Sequence, residues 1–139
     1  MGKKPKKVAV LACSGIGKPL GALARETVYE LVERVRPDTA ATTCLPLLVI
    51  GDLEAKRFIT ENPVIAIDGC AKECAKKSIE SQGVKVARAY QTIDFFKKHK
   101  DLKPEGITEL NEAGQKLASL AADELGEVVD ELAAGEDGR

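Results

Sequence analysis

Four cysteines in a chain of 139 residues are the side chains best suited to chemistry, and two of them share the segment Asp68-Gly69-Cys70-Ala71-Lys72-Glu73-Cys74. Cys70 and Cys74 follow the apolar run Pro63-Val64-Ile65-Ala66-Ile67, which reads as a buried strand. Cys13 ends a similar run, Lys7-Val8-Ala9-Val10-Leu11-Ala12, and Ser14-Gly15-Ile16-Gly17 comes next, opening toward a helix. Parallel neighbouring strands would bring their carboxyl ends, and these cysteines, to the edge where open α/β sheets bind ligands. Thiolates gathered there suit a soft metal or redox chemistry. On a helix running from about Gly69, positions i and i+4 share one face with Cβ atoms about 5–6 Å apart, so Cys70 and Cys74 could converge on one ion with Zn–S bonds of roughly 2.3 Å. The positive end of that helix favours thiolates, and Lys72, Lys76 and Lys77 would add to it. The spacing is C-x3-C rather than the C-x2-C of zinc ribbons, so the pair alone is a weak signal; Cys13 and Cys44, each after a strand signal, strengthen it, against the alternative that free cysteines, Cys44 above all, are simply good core residues.

Those residues need elements to hold them, and strand and helix signals alternate along the chain. Leu20, Leu23, Ala24, Val28, Leu31, Val32 and Val35 form one apolar helix stripe that Arg36-Pro37 ends. Thr39 to Thr43 reads as a short β-branched strand before Cys44. Pro46 suits the first turn of a helix better than a central strand, which places the strand before Cys44. Asp52 is positioned to cap a helix over Leu53 to Thr60. The strand Val64 to Ile67 precedes a helix from about Gly69 to Gln82, stopped by Gly83. Val84 to Tyr90 reads as a fourth strand, and Thr92 to Lys100 as a short helix. Leu110, Ala113, Leu117, Leu120, Ala121, Leu125, Val128 and Leu132 mark a long amphipathic C-terminal helix, which either covers a sheet face or supports a homodimer.

The fold expected is α/β: a single-domain three-layer sandwich over residues 1–139, with a mostly parallel four-stranded sheet of Rossmann or flavodoxin-like type and a long C-terminal helix. Residues 1–6 would be a basic tail and 135–139 a frayed end. A flavodoxin-like order sets the second, first and third strands side by side, so Cys44, Cys13 and Cys70 occupy adjacent strand ends. With strands about 4.8 Å apart, the outer two stand about 10 Å apart, and bending loops rich in glycine (Gly15, Gly17, Gly69) would have to close the gap.

Composition limits the function classes. A mass of 14.9 kDa fits one core, and 44% hydrophobic with 31% charged residues fits a globular chain. A net charge of -1 leaves no electrostatic footprint for nucleic acid. No apolar stretch approaches the roughly 20 residues that span a bilayer. The lysines before the first strand argue against a secretory signal and for a cytoplasmic, reducing setting, in which clustered cysteines serve metal or redox chemistry.

Together, Cys13-Ser14-Gly15, the isolated Cys44 and Ile65-Ala66-Ile67-Asp68-Gly69-Cys70-Ala71-Lys72-Glu73-Cys74-Ala75-Lys76-Lys77 resemble the DGC-domain family, named for its Asp-Gly-Cys tripeptide and described as zinc-binding on the strength of its four cysteines. The resemblance covers roughly Val8 to Tyr90. It implies that Cys13, Cys44, Cys70 and Cys74 are the family's thiols and zinc the cofactor. Asp68 would cap the following helix or act on the site from behind it, with Gly69, Ser14 and Gly15 shaping the loops.

Other readings are weaker. Gly15-Ile16-Gly17-Lys18 departs from a P-loop at Ala12 and Pro19. A cysteine phosphatase would need arginine where Pro19 stands. His99, the sole histidine, lies among lysines and reads as solvated, and no Ser-His-Asp arrangement is evident. What stays open is a zinc protein in metal or sulfur handling, a thiol redox or persulfide-transfer enzyme, or an iron–sulfur protein.

Overall fold

The computed structural model describes residues 7–13 and 17–135. The basic tail, the site-shaping Ser14 and Gly15, and all but the first residue of the expected frayed end lie outside them. β1 (Val8–Ala12) leads to α1 (Pro19–Glu30), which continues as a π-helical turn over Leu31–Val35. Then come β2 (Ala40–Ala41), α2 (Leu45–Val49), α3 (Leu53–Glu61) and β3 (Val64–Asp68). The chain closes with α4 (Cys74–Glu80), β4 (Arg88–Gln91), α5 (Thr92–Lys98) and α6 (Glu112–Ala133).

The sheet order is β2-β1-β3-β4 and every pairing is parallel, the flavodoxin-like arrangement that the sequence pattern implies. Right-handed crossovers then dictate which helix covers which face. The step from β1 to β2 runs one way and puts α1 on one face. The steps to β3 and β4 run the other way and put α2, α3 and α4 on the opposite face. Side-chain alternation follows: Val8, Val10, Ile65 and Ile67 join the core under α1, α5 and α6, while Ala9, Leu11, Val64 and Ala66 join the core under α2, α3 and α4. The reversal falls between β1 and β3.

α6 spends its apolar stripe inside the chain. Leu117, Ala118, Ala121, Ala122, Leu125, Val129 and Leu132 are buried, chiefly against α1, and each leucine so placed contributes about 1.5–3 kcal/mol. Asn111 caps the helix by accepting from the Gly114 N–H at 2.9 Å. Arg36, just past the π turn, donates to both carboxylate oxygens of Asp130 at 2.7 and 2.8 Å and ties α1 to α6.

Local signals hold where capping chemistry is strong. Pro46 stands in the first turn of α2, and the Asp52 carboxylate accepts from the Ala55 N–H at 2.9 Å at the head of α3. Gly83 adopts φ 80° after α4, a conformation that favours glycine. Three expectations need correction. β2 keeps two residues of Thr39 to Thr43, since only Val8 and Ala9 of β1 pair with it. β4 starts at Arg88 rather than Val84, because the chain makes one hydrogen bond to β3, Ala87 N–H to Val64 O at 2.8 Å, before ladder pairing begins. His99 is half-buried rather than solvated, and its backbone N–H bonds to Phe96 O at 3.0 Å just past the end of α5.

Candidate metal and thiol centre

All four cysteines lie at the carboxyl end of the sheet. Cys13 follows β1, Cys44 precedes α2 after β2, Cys70 follows β3, and Cys74 opens α4. Cys13 and Cys70 flank the β1–β3 reversal. The register pairs Ala12 with Ile67 and Asp68 with Gln91, so Cys13, Asp68 and Gln91 end their strands at nearly one level.

Cys13 is the best-anchored thiol. Its backbone N–H donates to Ile67 O at 3.2 Å, and its Sγ accepts the Gly69 N–H at 3.3 Å. That second contact brings the sulfur beside the loop carrying Cys70. The side chain is half-buried and packs against both hydrophobic cores.

Gly69 has a second task. A Cβ there would come within 2.6 Å of the Cα and N of Gly21 and 2.9 Å of the Leu20 carbonyl carbon. The first turn of α1 thus rests directly on the backbone that follows β3. Thr92, fully buried, completes the support by donating its hydroxyl to Leu20 O at 2.8 Å.

Asp68 is the cap that the sequence suggests, acting at a distance. It ends β3 with 2% exposure, and its carboxylate accepts the N–H groups of Ala75 at 2.7 Å and Lys76 at 3.1 Å. Burial pushes this carboxyl above the ordinary carboxylate range, and those two N–H donors hold it part of the way back.

The largest departure concerns Cys70 and Cys74. The helix begins at Cys74, not near Gly69, so the two do not share a helical face. Between them, the Glu73 N–H donates to Cys70 O at 3.1 Å, forming a turn. Glu73 itself sits at φ 54°, ψ 48°, the one non-glycine residue with positive φ among the described residues. No helix can run through that conformation. Cys70 is half-buried and Cys74 exposed, as is Cys44. α2 packs against α4, which associates the element that Cys44 precedes with the one that Cys74 opens.

Four thiols suit zinc by donor chemistry. Among the described residues, however, no three Cys, His, Asp or Glu side chains are gathered closely enough to hold an ion.

Sequence reasoning missed Thr92, the Gly69–Gly21 contact and the left-handed Glu73. The Asp-Gly step after an apolar strand hints at a cap and a close approach, but an unremarkable Glu carries no sign of positive φ.

A family model for the DGC domain matches residues 9–122. The chain belongs to the DGC domain family. The match takes in all four cysteines, Asp68 and Gly69, and reaches into α6, further than the motif-bearing segments. No curated protein and no solved structure matches the chain.

Proposed function

We propose that this DGC-domain protein binds zinc through cysteine thiolates at the carboxyl edge of its sheet and serves in metal or sulfur handling. One observation carries the reading. Four cysteines from three strand ends and a helix start occupy one edge of the fold, with the Cys13 sulfur bonded to the loop of Cys70. Zinc prefers such soft ligands and, when bound by thiolates, supplies a Lewis-acidic centre. The chain's own part is to present the sulfurs, to fix Cys13 through Gly69, and to cap α4 through Asp68.

Metal content tests it. Protein expressed without added metal should carry about one zinc per chain, and Cys70→Ser or Cys74→Ser should lose most of it. Unchanged metal content in both variants would overturn the reading. Anaerobically purified protein should be colourless, whereas a brown protein with visible absorption would replace zinc with an iron–sulfur cluster.

A second reading is favoured by one contact. The Gly69 N–H directed at Cys13 Sγ is what a working thiolate in redox or persulfide transfer requires. Under it, Cys13→Ser abolishes thiol chemistry while the metal content is untouched.

A further inference from the structure

We draw no further inference here: the strongest candidate, the apolar surface patch that Val49, Ile50 and Leu53 expose where α2 turns into α3, carries nothing, because the neighbouring charges of Glu54, Lys56 and Arg57 select no partner and nothing in the structure shows what covers it.

Discussion

Placing a methyl group on Gly69 is the most direct test of how the strand edge and α1 are joined. An alanine Cβ would lie 2.6 Å from two backbone atoms of Gly21 and 2.9 Å from the Leu20 carbonyl carbon, well inside contact distance. A side chain in the way could rotate aside, but these are main-chain atoms in the first turn of a helix whose other face is packed into the core. Relief therefore requires the start of α1 to shift away from β3, and overpacking of this kind costs about 3 kcal/mol. Gly69 lies outside the left-handed region, so alanine adds no dihedral strain, and it lowers the entropy of the unfolded chain by about 0.4–1 kcal/mol. The net loss is about 2 kcal/mol, which for a chain of this size is a fall in Tm of about 6–8 °C. Urea titration followed by far-ultraviolet circular dichroism should show a lower midpoint at an unchanged slope. A stability change below about 0.5 kcal/mol would mean that the contact between α1 and β3 yields freely, and would refute the reasoning.

Two further outcomes follow from the site. Burial lifts Asp68 above its ordinary value of 3.8, so between that value and the raised one the folded chain holds a proton that the unfolded chain has released; its stabilising contribution is fullest below the unfolded value and is lost as pH rises through the folded one. The unfolding free energy of Asp68→Asn relative to the parent should accordingly move in the variant's favour as pH climbs from about 4, measured by urea titrations across that range, and a difference that does not change with pH would refute the raised value. Treatment with a metal chelator should leave most of the helical dichroism in place, because both cores are built from apolar side chains of the sheet and helices, and exposed Cys44 and Cys74 should then react ahead of half-buried Cys13 and Cys70; complete unfolding would instead make the metal a staple.

The layout of the fold is written in local chemistry that a sequence displays. Apolar runs of five or six residues, a proline in a helical first turn and an aspartate before Leu53 lead to the correct strand order and to α2 and α3. The candidate edge was legible for the same reason, since each cysteine follows a strand signal. What was not legible depends on competition between distant groups. The start of α4 is decided by Asp68 reaching seven and eight residues forward, and periodicity alone would carry the helix back to Gly69. The π turn at Leu31–Val35 ends with the Arg36 N–H bonding Leu31 O at 2.9 Å, next to Gly126 of α6, where an added Cβ would stand 2.8 Å from Val35. No pattern within α1 foretells a neighbour nearly a hundred residues away.

The sheet divides the interior into two compartments, and this has a consequence for how the protein tolerates change. A substitution at Ile65 is felt under α1 and α6, one at Leu48 under α3 and α4, with the main chain of the sheet between them. Pairs of substitutions drawn from opposite compartments should therefore combine additively, as those sharing no neighbours do. Cys13 breaks that partition. Its side chain lies against both compartments at once, so a change in either can alter the setting of the same sulfur. Each half of the core is free to drift alone, except where it must agree with the other on the placement of that one atom.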